Sequence, residues 1–360
     1  MTTNDAPRVT LTTAANTGPI ALIQLHGPGV TAILTQLTGK ADWPASRMRL
    51  VEFAEIDTGL AVMFRGEPDA WAQLMPHGGP RVVQKLLDHL TALGAAYDND
   101  PPPRAVYPEA KSDLEADMLA TIARAASPAA INLLLAQPGL WKDFITANED
   151  QATDQRGAIL ARSDVLDRLI DPPAVVVIGR PNVGKSTLTN RMLGRSASLV
   201  ADLPGTTRDW VAGLAELDRV AVRWMDTPGL RHGDDEVEQR AIDLARQVIV
   251  NADVLIAMRD PSLDWPTDDA LGRGPDLWVF NKIDTAPNAT LAGDGRQPGS
   301  PLPVSAATGR GTDRLQQFIL DRLGLSMLRE PTLWVFSPTL RTAVSSDDAA
   351  HITSYVLGQP

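Results

Sequence analysis

The sequence predicts an α/β protein, with a mostly parallel sheet covered by helices on both faces, joined to an α+β N-terminal domain and a short helical region. Three observations predict it. After Ala174, short apolar runs alternate with helix-length segments, which is the texture of strand–helix–strand units. Between the first run and the first helical segment lies a glycine-bounded octapeptide, Gly179 to Ser186, of a kind that turns sharply from strand into helix. Before residue 100, in contrast, β-rich patches such as Ile20 to Leu25 and Leu60 to Phe64 mix with amphipathic helical patterns.

A length of 360 residues suggests two or three domains. With 44% hydrophobic and 21% charged residues, the chain can bury real cores, so disorder, collagen and coiled coil are excluded for its bulk. The 33 basic side chains against 44 acidic ones leave a net charge of −11, which argues against coating nucleic acid through a bulk positive field but leaves room for a local basic patch. The absence of cysteine removes disulfides, thiolate metal sites and cysteine nucleophiles together. Met1 to Thr13 lacks the charged-then-apolar pattern of a secretory signal. The longest apolar runs fall far short of the roughly 20 residues that cross a bilayer. No membrane association and a cytoplasmic location are therefore expected.

In chain order, residues 1–100 form the N-terminal domain, with Val82 to Leu93 as a helix carrying Val83, Leu86, Leu87 and Leu90 on one stripe. Asn99 to Pro103 reads as a linker. Residues 105–172 are helical in pattern, with Ala- and Leu-rich stretches at Leu119 to Ala126 and Pro128 to Gln137, and Asp171-Pro172-Pro173 closes them. Residues 173–325 hold strands at Ala174–Ile178, Val220–Met225, Asp253–Met258, Leu277–Phe280 and Pro303–Val304, with Thr285 to Pro301 as a mobile surface loop. Residues 326–360 are a short C-terminal helical tail. There are no internal repeats.

Gly179-Arg-Pro-Asn-Val-Gly184-Lys185-Ser186 fits G-x-x-x-x-G-K-[ST], placed after a strand and before a helix. Its glycines let successive backbone N–H groups and the helix N-terminus meet phosphates. Lys185 then reaches the β- and γ-phosphates and the Ser186 hydroxyl ligates Mg²⁺. Gly179, Asn182, Val183, Gly184 and Thr187 complete the nucleotide contacts. Asp226-Thr-Pro-Gly229 ends the Val220 strand, so that Asp226 can hold Mg²⁺ and the Gly229 amide can sense the γ-phosphate. Gly205-Thr206-Thr207-Arg208-Asp209 offers Thr207 as a second Mg²⁺ ligand from a switchable loop. Asn281-Lys282-Ile283-Asp284 follows a strand directly. The Asp284 carboxylate can accept from guanine N1–H and from its exocyclic amine; adenine has no such pair. Asn281 and the Lys282 stem brace the loop and cover the ring, and Ser305-Ala306-Ala307 offers a backbone N–H to guanine O6. Five ordered motifs at these spacings predict a P-loop GTPase domain, with GTP and Mg²⁺ as the expected ligands.

Many regulatory GTPases place a Gln after the D-x-x-G glycine to orient water; here Leu230 stands there. The run Gly179 to Thr187, the loop Ala201-Asp-Leu-Pro-Gly-Thr-Thr-Arg-Asp209, and Asp226 to Arg231 followed by Asp235-Glu-Val-Glu238 resemble the bacterial tRNA-modification GTPases of the MnmE/TrmE type. That resemblance implies K⁺ in place of an arginine finger, held by Asn182 with Ala201, Leu203 and Thr206 around it, and Glu238 orienting the water. The implied catalytic set is Lys185, Thr207, Asp226, Gly229 and Glu238.

Thr17 to Gly27 and His77-Gly-Gly-Pro80 resemble that family's folate-binding, dimer-forming domain, and Tyr107 to Leu114 the start of its helical domain. The resemblance implies a homodimer, a flavoprotein partner, tRNA as substrate and wobble-uridine modification as the role. It departs at the folate site, where the family's Arg, Glu and Lys align with Gln24, Gln73 and Lys111. A Gln facing the pterin offers only a neutral pair where a carboxylate gives a charge-assisted one, so folate is doubtful. The helical region is about half the family's length and the C-terminal segment is shorter, without its cysteine, so the helical domain is expected to be reduced. The alternative expectation is a divergent GTPase switch acting on another partner in ribosome or RNA metabolism. A nucleotide-binding scaffold without turnover is disfavoured by the complete set of catalytic positions.

Overall fold

The computed structural model of the chain describes residues 6–13, 18–147, 152–194, 211–226, 246–266, 273–286, 295–326, 328 and 330–358, without the side chains of 152–154 and 211–212. The chain divides into two compact units, residues 1–119 and 120–360.

The first unit contains β1 (Arg8–Leu11), β2 (Ile23–His26), α1 (Val30–Thr38), β3 (Arg49–Phe53), β4 (Asp57–Arg65), β5 (Trp71–Met75), α2 (Pro80–Ala92) and β6 (Ala96–Tyr97). The sheet order is β3-β4-β5-β2-β1-β6, antiparallel except for the parallel β1–β6 pair. The stripe Val83, Leu86, Leu87 and Leu90 of α2 joins Ile33, Leu34 and Leu37 of α1 against Ile23, Leu25, Phe53 and Leu74 from the strands. Burying one face of each helix on one face of a sheet is what makes this unit α+β. The predicted patch Ile20 to Leu25 enters the sheet only at Ile23, and Ile20 makes an isolated bridge to His77. The linker ends in a short helix, α3 (Pro103–Val106), with proline at its first position. Then α4 (Asp113–Arg124) carries the chain across the division between the units.

The second unit opens with α5 (Pro128–Leu135), α6 (Gln137–Ala147) and α7 (Ala152–Leu166), followed by β7 (Ala174–Gly179), α8 (Lys185–Leu193), β8 (Val211–Leu217), β9 (Val220–Asp226), β10 (Val254–Arg259), β11 (Leu277–Phe280), β12 (Leu302–Pro303) and α9 (Thr312–Leu323). The sheet order is β12-β11-β10-β7-β9-β8. All its pairs are parallel except β8–β9. Central strands of a parallel sheet are covered on both faces, and β7, β10 and β11 are accordingly buried almost throughout. The antiparallel edge strand β8 is an addition to the sequence reading. Its turn, Asp218-Arg219, has both residues at positive φ without a glycine, so the usual hairpin signal is missing. Of the expected loop Thr285 to Pro301, residues 287–294 lie outside the described residues. Gly295 is pinned instead, accepting from Trp278 N–H (2.8 Å) and donating to Ser300 O (2.9 Å).

The C-terminal tail folds as α10 (Pro338–Ser345) and α11 (Ala349–Leu357), and the residues before α10 lock onto α6 and α7. Trp334 is fully buried. Its N–H donates to Gln137 Oε1 (2.9 Å), its carbonyl accepts from Trp141 Nε1 (3.2 Å), and its indole N–H donates to Asp167 (2.9 Å). Val335 N–H donates to the buried Ser163 hydroxyl (2.8 Å). The helical region is fastened to the sheet at Ser127, whose hydroxyl accepts from Ala221 N–H (2.9 Å), and at Ala129, whose N–H donates to Arg219 O (3.0 Å).

Candidate functional site

β7 delivers the chain at Gly179, and α8 takes it away at Lys185. Between them the loop is held from within by Val183, whose side chain is fully buried. Gly184 sits at φ 97°, and a Cβ there would stand 2.3 Å from Asn281 Nδ2. Both the backbone conformation and the space therefore require glycine. Lys185 is 8% exposed, and its ammonium donates to the carbonyls of Gly179 (3.0 Å) and Arg180 (3.2 Å). Two of three donors are used in this way, leaving one for a phosphate oxygen. Burial pulls the Lys185 pKa below its usual range, against a smaller opposing pull from Asp226.

Asp226, the last residue of β9, is 6% exposed. Its Oδ2 accepts from the Ser186 hydroxyl at 2.8 Å, while its Oδ1 is buried and has no hydrogen-bond partner among the described residues. Burial raises its pKa, partly offset by Ser186 and Lys185. A buried carboxylate oxygen without a partner is costly in the absence of a cation. A hydroxyl and a carboxylate side by side are hard oxygen ligands that suit Mg²⁺, which prefers few protein ligands plus phosphate oxygens and water. The residues present thus fit both a nucleotide phosphate chain and its metal ion. Among the described residues no group of three or more His, Asp or Glu side chains could cage a metal on its own.

The base-side loop follows β11. Asn281 is 2% exposed; its Nδ2 donates to Val183 O (2.8 Å) and its Oδ1 accepts from Ala306 N–H (2.9 Å). The Ser305 hydroxyl donates to Asp284 Oδ1 at 2.6 Å, which orients that carboxylate. Ser305 N–H goes to Arg310 O (2.9 Å) and Ala306 N–H to Asn281, so, against the sequence expectation, neither amide is left to meet guanine O6, because both are spent holding the turn. Lys282 Nζ reaches Asn182 O (2.6 Å) and Asp260 Oδ2 (2.5 Å). From α8, Arg191 Nε donates to Ala306 O at 2.6 Å and fixes the turn that carries it. Asp260 and Arg191 were missed in the sequence. A charged residue just past an apolar strand was a signal for Asp260; nothing local marks Arg191.

The structure therefore brings together Gly179, Asn182, Val183, Gly184, Lys185, Ser186, Asp226, Asn281, Lys282, Asp284, Ser305 and Ala306, with Thr187 following on α8. Ala201, Leu203, Thr206, Thr207, Gly229 and Glu238 lie outside the described residues.

A family model described as 50S ribosome-binding GTPase matches residues 174–282, the segment that carries this geometry. A protein named tRNA modification GTPase MnmE from Synechococcus sp. (strain RCC307) is 31% identical over 369 residues, covering 87% of this chain and 80% of its own. Its namesake from Hyphomonas neptunium is 30% identical over 348 residues, covering 83% and 77%. The chain belongs to the MnmE family of tRNA modification GTPases. It is a GTPase, and residues 174–282 within the second unit carry its P-loop GTPase domain. These relatives do not favour the alternative of a switch acting on another partner.

The N-terminal positions of this MnmE-family chain are less regular. Gln24 and Gln73 are register partners on β2 and β5. Gln24 is 2% exposed and its Nε2 donates to Val106 O (2.9 Å), while its Oε1 is buried without a hydrogen-bond partner among the described residues. Lys111 donates its backbone N–H to Glu115 (2.7 Å). A neutral side-chain amide committed to a backbone carbonyl does not fit the charged set implied for folate. His77 is an exposed loop residue whose ring meets Asp57 at 2.8 Å. Among the described residues no helix is long and apolar enough to cross a membrane.

Proposed function

We propose that this GTPase works in tRNA wobble-uridine modification with Mg²⁺ bound by Ser186, Asp226 and Thr207, and with K⁺ assisting at Asn182. The observation that carries the metal-dependent part is the 2.8 Å contact of Ser186 Oγ with Asp226, whose other oxygen is buried and without a hydrogen-bond partner among the described residues. When bound, the metal ion would neutralise charge developing between the β- and γ-phosphates. Lys185 would hold the same phosphates, and the Gly229 amide would report the γ-phosphate. Glu238 would orient the attacking water, since Leu230 cannot. The Asn182 side chain, with Ala201, Leu203 and Thr206, would hold K⁺ where other GTPases present an arginine. Asp284 would select guanine, with its carboxylate aligned by Ser305. A second copy of the chain, a flavoprotein and tRNA are the partners that belong to this reading. Its tRNA part is supported by similarity to proteins named tRNA modification GTPase MnmE.

The test is GTP turnover at matched ionic strength in KCl and in NaCl, with Asn182→Ala alongside. Activation by K⁺ that disappears in the variant is the expected result. Equal slow rates in both salts would remove the cation-assisted mechanism. Capture of tRNA and a flavoprotein by the GTP-loaded chain tests the pathway role, and failure to retain either would remove it.

A further inference from the structure

We propose that Asp260 is a positioning residue for nucleotide binding, holding Lys282 so that its ammonium ties the base-side loop to the phosphate loop. The inference rests on the reading of Gly179–Thr187 and Asn281–Asp284 as a guanine-nucleotide site and adds a residue that lies in neither motif. Asp260 is the first residue after β10 and is 2% exposed. Its Oδ1 accepts from Ser262 N–H (2.9 Å) and from the Ser262 hydroxyl (2.8 Å), so the carboxylate cannot rotate freely. Its Oδ2 meets Lys282 Nζ at 2.5 Å. The same ammonium donates to Asn182 O at 2.6 Å.

The backbone on both sides of this bridge is unusual. Asn182 has φ 66° and Lys282 has φ 61°. A left-handed conformation is uncommon outside glycine, and for a lysine it persists only where the surroundings impose it. Here those surroundings include the two bonds of Lys282 Nζ, beside the Thr285 N–H (3.0 Å) and hydroxyl (2.9 Å) that donate to the Lys282 carbonyl. Beside it, Asn281 Nδ2 grips Val183 O. Successive residues of the base-side loop thus hold successive carbonyls of the phosphate loop. Asn281 is fixed by its own burial and by Ala306. Lys282 is a flexible, partly exposed chain, and a charge-assisted bond to a buried carboxylate is what can fix it. Without Asp260, the ammonium turns to solvent and Asn182 loses its restraint. The loop would then have to be ordered by the nucleotide itself, at a cost in affinity.

The test uses the full chain and a fluorescent GDP analogue, with the variants Asp260→Asn, Lys282→Met and the double variant. GDP binding needs neither hydrolysis nor K⁺. Asp260→Asn keeps the shape and an acceptor for Ser262 but removes the charge, and is expected to release the analogue about 10-fold faster. Lys282→Met is expected to release it at least as fast and, by leaving Asp260 buried without its cation, to lower the thermal midpoint of the nucleotide-free protein. The double variant should recover the midpoint while releasing no faster than Lys282→Met alone, a split between stability and affinity that a purely structural role would not produce. Release from Asp260→Asn at the wild-type rate, or effects that multiply in the double variant, would overturn the proposal. If the wild-type chain fails to bind the analogue at all, the nucleotide-site reading falls and this inference with it.

Discussion

Asp226 has one carboxylate oxygen on Ser186 and the other buried without a hydrogen-bond partner among the described residues, and burial raises its pKa above the unfolded value. The folded protein therefore holds this proton more tightly than the unfolded chain. Its contribution favours folding at low pH and becomes a penalty as pH rises through the folded-state value. Asp226→Asn is expected to raise the stability of the nucleotide-free protein at neutral pH by about 1 kcal/mol while abolishing Mg²⁺-dependent GTP binding. Melting curves at pH 5 and pH 8 check this, and a lower midpoint for the variant at pH 8 would refute it. Asp260 has the opposite sign. Burial works against its ionisation, yet the bonds from Lys282 and Ser262 outweigh it and the pKa is lowered, so its stabilisation is lost as pH falls through the folded-state value. Gly184→Ala pushes a Cβ against Asn281 Nδ2 at a positive φ. The left-handed backbone alone costs roughly 1–2 kcal/mol, and loss of the Asn281–Val183 bond adds to it. GDP affinity should fall by more than about 10-fold, each factor of ten being about 1.4 kcal/mol. Isothermal titration settles it, and unchanged affinity would mean that the two loops move apart without consequence.

At the level of elements, β7, β10 and β11 were legible because continuous apolar runs between turn signals have few other uses. The edge strand β8 was not, since its partner is reached through a turn of Asp218 and Arg219 rather than through Asn-Gly or Asp-Gly. The stripe on α2 was read correctly to within two residues at its start, where Pro80 supplies the first turn. The C-terminal helices matter through the segment before them. Trp334 is fully buried and bonded to Gln137, Trp141 and Asp167. Truncation of such a side chain costs about 3–5 kcal/mol. Trp334→Ala is expected to lower the urea midpoint by a corresponding amount with little change in GDP affinity, because none of these partners belongs to the nucleotide site. A variant that keeps its midpoint would show that the tail is held elsewhere.

At the scale of the whole molecule, the chain comprises two compact units, and the described residues proposed for the nucleotide site all belong to residues 120–360. A ligand that binds only the folded state stabilises it by about 2.7 kcal/mol at 100 times its Kd. GDP at that concentration should therefore shift one of two calorimetric transitions and leave the other in place. A single transition that moves as a whole would show that the units melt together.

The sequence by itself carried the GTPase assignment and the residues proposed for the nucleotide. The phosphate loop, the carboxylate at the end of β9 and the base-side loop are each contiguous, and short-range spacing suffices to specify a loop whose work is done by backbone amides and a few fixed side chains. Only the tertiary structure decided how those pieces are held. Lys282 reaches Asn182 across 100 residues, Asn281 reaches Val183 across 98, and Trp334 meets Gln137 across 197. Asp260 and Arg191 acquire their roles only when β10 and α8 come to lie beside the base-side turn. Such contacts carry no local periodicity, because they depend on which strands become neighbours in the sheet.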